Sequence, residues 1–158
     1  MSLGANLKPQ ILHLLAIGIF TMPLFSCSGT RPNLGIRDGR LAACPGSPNC
    51  VSSDAADNAH AVAPFQLTSS PQEGWRALRI VIDGLPRATI ISSLDDYLHV
   101  ECTSAVFGFV DDLELHLRPS EKLIAVRSAS RLGRSDFGVN RKRVEQLRSL
   151  LIKQGVMR

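Results

Sequence analysis

The sequence predicts an α+β domain, a four-stranded antiparallel meander flanked by two helices, in the order helix, four strands, helix. Three observations predict it. A well-capped helix signal stands near residue 70, four segments rich in β-forming residues follow it with short turns between them, and an amphipathic segment ends the chain. Short turns join antiparallel neighbours, whereas parallel strands need long crossover connections.

The first helix has a clear start and stop. Ser70 suits the N-cap, Pro71 suits the first helical position, and Glu73 completes a capping box. Gly84 and Pro86 end the helical pattern.

Strands are predicted from alternating apolar residues and from the turns between them. The last segment is predicted to be a helix capped by Ser135 or Asp136 and closed by Gly155. The four predicted strands are residues 87–93, 97–104, 107–118 and 122–130.

The pairing register of the second and third predicted strands follows from the position of the turn between them. A tip at residues 105–106 puts His99 opposite Asp112 on the outer, solvated face, and puts Phe107 and Phe109 on the core face.

A four-residue loop at 119–122 forms the next hairpin. It pairs Asp111 with Ser130 on the core face and Glu114 with Arg127 on the outer face.

The first 26 residues have the layout of a secretory signal rather than of domain material. The apolar run "ILHLLAIGIF" at residues 11–20 is shorter than the roughly 20 residues of a spanning helix. Residues 24–26 and Cys27 resemble a bacterial lipobox, which predicts that Cys27 is the lipidated first residue of the mature chain. An uncleaved anchor and ordinary signal cleavage nearby are the alternatives.

This leader predicts a lipid-anchored, periplasm-facing protein of the bacterial cell envelope. Ser28, rather than an aspartate, follows Cys27, which favours the outer membrane over the inner one. Residues 27–43 are predicted to be a tether, and residues 44–158 form a single domain. Nucleic acid is not expected as a partner in this compartment, and only 5% of the residues are aromatic, so no stacking platform is evident.

The stretch "CPGSPNC" holds the predicted disulfide, Cys44 with Cys50. Thiols that mature in an oxidising compartment pair. Five intervening residues exceed the usual zinc-clip spacing, and a redox centre needs a closer pair. Cys102 is expected to be a small buried hydrophobe.

One polar cluster is expected at an end of the core, around Asp111. A buried carboxylate must be paired or hydrogen-bonded. It therefore either pins the following loop through hydrogen bonds or belongs to a site for an anion or polar ligand, with arginines and a helix N-terminus as donors. The candidate residues are Asp111, Ser128, Ser130, Arg131, Arg134, Asn140 and Arg141.

Catalysis is the weaker interpretation. His99 with Asp112 could be a base and its orienting carboxylate, but no nucleophile stands beside them. A metal site built from His99, Asp112 and Glu114 matches no known spacing signature. We therefore predict neither a metal nor a cofactor.

Three blocks, "CPGSPNCVSS", "YLHVECTSAVFGFVDDLELHL" and "VRSASRLGRSDFGVNRKRVEQLR", resemble the bacterial DUF1499 family of proteins of unknown function. The resemblance spans residues 41–151. It implies a small envelope or membrane-associated protein, and it transfers no catalytic residues because the family has no established activity.

The function predicted from the sequence is a non-enzymatic binding or interaction module of the envelope, for an anionic ligand or a partner protein. From Arg127 onward nine basic residues face two acidic ones, a net charge of +7, which favours an anionic partner. The alternatives are a hydrolase-like enzyme that uses Asp111 or the His99–Asp112 pair, and a structural scaffold without a small ligand.

Overall fold

The computed structural model describes residues 28–158, so the predicted signal segment and Cys27 lie outside the described residues. None of the helices within that range is long and apolar enough to cross a membrane. In chain order the elements are β1 (Cys50–Ser52), β2 (Phe65–Gln66), α1 (Pro71–Asp83), β3 (Ala88–Ser93), β4 (Tyr97–Thr103), β5 (Val110–Arg118), a 3₁₀ turn (Pro119–Glu121), β6 (Leu123–Ser130) and α2 (Val139–Lys153).

The sheet is antiparallel throughout, and β3 to β6 form the predicted meander. The predicted count of four strands is wrong, because the sheet formed within residues 28–158 has six, in the order β1-β6-β5-β4-β3 with β2 also on β6. Cys50 pairs with Ala129, and Phe65 pairs with Ile124. Strands of three and two residues in a proline-rich stretch carry too little alternation to be recognised in a sequence.

The start of α1 confirms the predicted capping box. The Ser70 hydroxyl accepts the backbone N–H of Glu73, whose carboxylate accepts the backbone N–H of Ser70 at 3.0 Å. Helix α2 begins later than predicted, with Gly138 at the N-cap in the left-handed region, at φ 79°. There the Asp136 carboxylate accepts the backbone N–H groups of Gly138 and Asn140.

Both helices pack on one face of the sheet. Helix α1 contributes Leu78 and Ile82 to the core, and α2 contributes Leu147 and Leu151. The remaining core side chains come from alternate positions of the strands, as a sheet with one helix-covered face requires.

The β5–β6 hairpin has the predicted register. Asp111 faces Ser130 and Glu114 faces Arg127.

The predicted register of the β4–β5 hairpin is wrong by two residues. His99 lies opposite Glu114, not Asp112. The turn is longer than assumed and spans residues 104–109, so Phe107 and Phe109 leave the sheet and are 70% and 43% exposed. A slip of two residues keeps every strand residue on its own face, so the faces of β4 remain as predicted.

Candidate functional site

The sheet face away from the helices carries an ion-pair network. Arg131 donates to both carboxylate oxygens of Asp112, at 2.8 and 2.6 Å, and also to Glu101. His99 Nε2 lies 2.7 Å from Asp112 Oδ1, and Arg31 Nε donates to Glu101 at 2.6 Å. We call these five residues the outer network.

Glu114 lies beside the outer network and is completely buried. Its carboxylate accepts hydrogen bonds from the Tyr97 hydroxyl (2.8 Å), Arg127 Nη1 (2.9 Å) and the backbone N–H of Gly35 (3.2 Å). Burial, followed by the charge of Glu114, raises the pKa of Tyr97. The Tyr97 hydroxyl therefore stays protonated and acts as a donor.

The acids of the outer network are held ionised. Burial of Asp112 opposes its ionisation, but hydrogen bonds from Arg131 and His99 outweigh it and lower the pKa of Asp112. The Arg31 hydrogen bond lowers the pKa of Glu101 against the effect of burial, with help from Arg131. Neither carboxylate is poised to take up a proton near neutral pH.

The outer face is covered, not solvated as predicted. Residues 28–43, which fall in the predicted tether, run across it. Leu41 is buried and its backbone N–H donates to Asp54 at 2.9 Å. His99 and Asp112 are only 5% and 2% exposed, so no substrate reaches this pair in the described conformation. The division of the chain into signal, tether and domain stays a prediction.

A second polar network occupies the end of the core, as the sequence predicts for Asp111. Arg143 Nη2 donates to Asp111 at 2.6 Å, while Arg143 Nη1 donates to Ser128 and Asn140 at 2.9 and 2.6 Å. Ser128 donates to Asn140 Oδ1 at 2.6 Å, and Asn140 Nδ2 donates to Ser130 at 2.9 Å. We call these residues the Asp111 network.

Asn49 ties the disulfide loop to this network. The Asn49 carbonyl accepts from Asn140 Nδ2 at 3.0 Å, and its side chain donates to the Gly133 carbonyl at 2.7 Å. The predicted disulfide is present between Cys44 and Cys50. It closes the loop immediately before β1 and so helps to position Asn49.

All three predicted site arginines lie outside the Asp111 network. Arg131 belongs to the outer network. Arg141 Nη2 donates to the Ala59 carbonyl at 3.1 Å, and Arg141 Nη1 donates to the Ala61 carbonyl at 2.9 Å. Arg134 is exposed in the β6–α2 loop and has no acidic partner among residues 28–158. Of the predicted cluster, the structure brings together Asp111, Ser128, Ser130 and Asn140.

Sequence reasoning missed Arg143 of the Asp111 network, and it missed Asn49, which ties the disulfide loop to that network. Arg143 lies three residues after Asn140 on α2, and residues at that spacing share a helix face. That spacing could have revealed it. Asn49 directly precedes Cys50 in a segment that was expected to be a loop, and no periodic signal marks it.

Two cavities adjoin Asp111. The first, of about 350 Å³, we call the basic cavity. The second, of about 470 Å³, we call the apolar cavity. Both are bordered by Ser104, Asp111 and Val139. The basic cavity is also lined by Arg87, Cys102, Thr103, Lys142, Arg143 and Gln146. The apolar cavity is also lined by Phe107, Phe109, Leu132, Phe137, Ser130 and Ser135.

The N-terminus of α2, expected to supply anion donors, is already occupied from within the chain. Asp136 accepts the backbone N–H groups of Asn140 (2.7 Å) and Gly138 (3.0 Å). Burial of Asp136 opposes its ionisation, but these bonds outweigh it and lower the pKa of Asp136. Donors for a ligand here must therefore come from side chains.

The free cysteine and the arrangement of possible metal ligands bear on the chemistry available to the domain. Cys102 is buried as predicted, and its burial raises the pKa of the thiol, which keeps it protonated. Within residues 28–158, no group of three or more His, Cys, Asp or Glu side chains is placed to hold a metal ion.

Fold and site together define a small α+β domain with one sealed charge network and one polar network that opens onto cavities. The chain belongs to the DUF1499 family of proteins of unknown function, whose family model matches residues 40–151. No curated protein matches the chain. No solved structure matches it either.

Proposed function

We propose that the protein is a non-enzymatic binding module of the bacterial cell envelope, attached to the membrane through Cys27, and that it binds a small anionic ligand in the basic cavity. The observation that carries the proposal is the lining of that cavity. Arg87, Lys142 and Arg143 contribute cationic side chains to a space of about 350 Å³.

The charge balance of the cavity supports an anion. Asp111 is its one acidic lining residue, and Arg143 already pairs with it at 2.6 Å. Arg87 and Lys142 have no acidic partner within 4.0 Å in residues 28–158. Their charges are thus available to a ligand, and the Thr103 and Ser104 hydroxyls add neutral donors.

The enzymatic alternative has less support. The His99–Asp112 pair lies under residues 28–43, and Arg131 holds the Asp112 carboxylate in two hydrogen bonds. Asp111 is likewise held by Arg143. Cys102 lies opposite it on β4, but burial raises the pKa of that thiol and keeps it protonated. A scaffold without a ligand would not need a cationic cavity, so the binding module is favoured.

Thermal unfolding of the full-length chain in a non-ionic detergent tests the proposal. We expect inorganic phosphate to raise Tm relative to chloride at equal ionic strength, because a ligand that binds only the folded state stabilises it. Lys142→Gln should weaken the apparent affinity for phosphate by about threefold or more.

Lys153→Gln is the matched control, since Lys153 is an exposed lysine at the far end of the same helix. It should leave the affinity unchanged. No phosphate-dependent shift in Tm, or equal weakening by both variants, would refute the basic cavity as an anion site. The mass of the mature N-terminal peptide tests the attachment, because an unmodified peptide that extends upstream of Cys27 excludes lipidation there.

A further inference from the structure

Large apolar side chains are concentrated at the end of the domain that holds the Asp111 network. They lie on the β4–β5 loop, on the β6–α2 loop and at the first residue of α2, and we call this surface the apolar end. Its members, with their exposed fractions, are Val106 (82%), Phe107 (70%), Phe109 (43%), Leu132 (43%), Phe137 (97%) and Val139 (48%).

The surface is continuous. All of its members except Val106 line the apolar cavity, and the rings of Phe107 and Phe109 are 5.7 Å apart between centroids. A continuous exposed apolar patch on a small domain marks an interaction surface. The opposite end of the sheet differs, because the β3–β4 turn exposes Leu94 (59%) as its one large apolar side chain.

Basic side chains stand beside the apolar end. Arg134 is exposed in the β6–α2 loop, and Arg87 and Lys142 line the adjoining basic cavity. None of the three has an acidic partner within 4.0 Å in the part of the chain that the structure describes. Exposed aromatic side chains next to unpaired cations are the chemistry that an anionic lipid surface recognises.

The packing of Gly29 beside the apolar end favours a membrane as the occupant of this surface. Gly29 packs so closely against the β6–α2 loop that a Cβ built on it would lie 3.0 Å from Arg131 Cβ and 3.2 Å from Leu132 Cγ. Leu132 is part of the apolar end. The 27 residues that precede Ser28 include the apolar run at 11–20, so a membrane attachment through them starts beside this surface.

We infer that the apolar end docks onto the surface of an anionic lipid bilayer, with Phe107, Phe109 and Phe137 entering the boundary between headgroups and acyl chains. The basic side chains then face the lipid phosphates. The inference rests on the membrane attachment proposed above, which makes docking intramolecular and lets a weak intrinsic affinity suffice. It also places the basic cavity at the membrane surface.

The test uses the full-length chain reconstituted into vesicles of phosphatidylcholine with about one-third phosphatidylglycerol. Two variants each place a tryptophan on an exposed site, Phe137→Trp at the apolar end and Leu94→Trp at the opposite end. Trp75 is buried and contributes the same background to both. Lipids brominated in their acyl chains quench a tryptophan that enters the bilayer, and aqueous acrylamide quenches one that does not.

We expect bromolipid to quench the Phe137→Trp variant at least twofold more than the Leu94→Trp variant, and acrylamide to show the reverse order. Equal quenching of the two variants, in chains that float with the vesicles, overturns the docking and leaves the attachment intact. Protection of Phe137→Trp from both quenchers also overturns it, because protein then covers the surface. Chains that do not float with the vesicles refute the attachment itself, and the docking with it.

Discussion

Asp111 and Asp112 are neighbours on β5, and because successive residues of a strand point to opposite faces they enter two different networks. Each pairs with an arginine, Asp112 with Arg131 and Asp111 with Arg143. Asp112 is sealed beneath residues 28–43, whereas Asp111 borders two cavities. Buried charge alone therefore does not mark a binding site. The proposed site lies where a satisfied network still has unpaired donors and space beside it.

The largest loss of stability is expected on the sealed side, the sheet face that residues 28–43 cover, from breaking the buried Glu114–Arg127 pair. Glu114→Ala removes a completely buried carboxylate and leaves Arg127 buried without its partner. Breaking a buried pair in this way costs about 3–5 kcal/mol, which corresponds to a fall in Tm of roughly 10 °C for a domain of this size. Thermal unfolding measures it. Glu121→Ala, at an exposed glutamate in the 3₁₀ turn, is the control and should unfold like the wild type.

Part of the pH dependence of stability should come from the outer network. The folded-state pKa values of Asp112 and Glu101 are lowered, so the unfolded chain binds more protons in mild acid, and the stability present at neutral pH is lost as the pH falls below about 4. Asp112→Asn should cost about 2 kcal/mol at pH 7 and should reduce the further loss toward pH 3. Urea titrations across this range check both. An unchanged acid loss in Asp112→Asn would contradict the assignment.

Breaking the Asp111 network should reduce stability less than breaking the Glu114–Arg127 pair does. Asp111→Ala is expected to lower the free energy of unfolding by about 1–2 kcal/mol, because Arg143 keeps its hydrogen bonds to Ser128 and Asn140 and its side chain is 17% exposed. Chemical unfolding measures the change. Asp95→Ala, in the exposed β3–β4 turn, provides the comparison. A loss as large as that of Glu114→Ala would show that the two networks do not differ in the way described.

The smallest effect is expected at Arg134. Its side chain is exposed and contacts no acidic group in residues 28–158, so Arg134→Ala should change stability by less than about 0.5 kcal/mol. The same unfolding curves test this. A loss above about 1 kcal/mol would reveal a structural partner for the guanidinium and would remove Arg134 from the cations available at the apolar end.

The sequence predicted those parts of the molecule that local chemistry determines. The capping box at Ser70 located α1, and the turn at Pro119 set the β5–β6 register, which placed Asp111 beside Ser130. The β4–β5 register could not be predicted, because Phe107 and Phe109 resemble strand residues but lie in a loop.

Contacts between residues far apart in the chain could not be predicted from the sequence either. The cover that residues 28–43 form over His99 and Asp112 joins segments about 70 residues apart, as the Arg31–Glu101 pair shows. Arg143 had a usable signal in its spacing from Asn140, but its contact with Asp111 across 32 positions had none. The candidate site was thus predicted from its strand residues and its helix asparagine, and completed by the tertiary structure.

Hydrogen exchange of the full-length chain, with inorganic phosphate and with chloride at equal ionic strength, tests the difference between the two networks most directly. Phosphate should slow exchange in residues 103–111 and 139–146, which border the basic cavity, more than in residues 31–41, which cover the outer network. Slowed exchange on the sealed side alone, or no change in either region, would contradict the assignment of ligand binding to the Asp111 end.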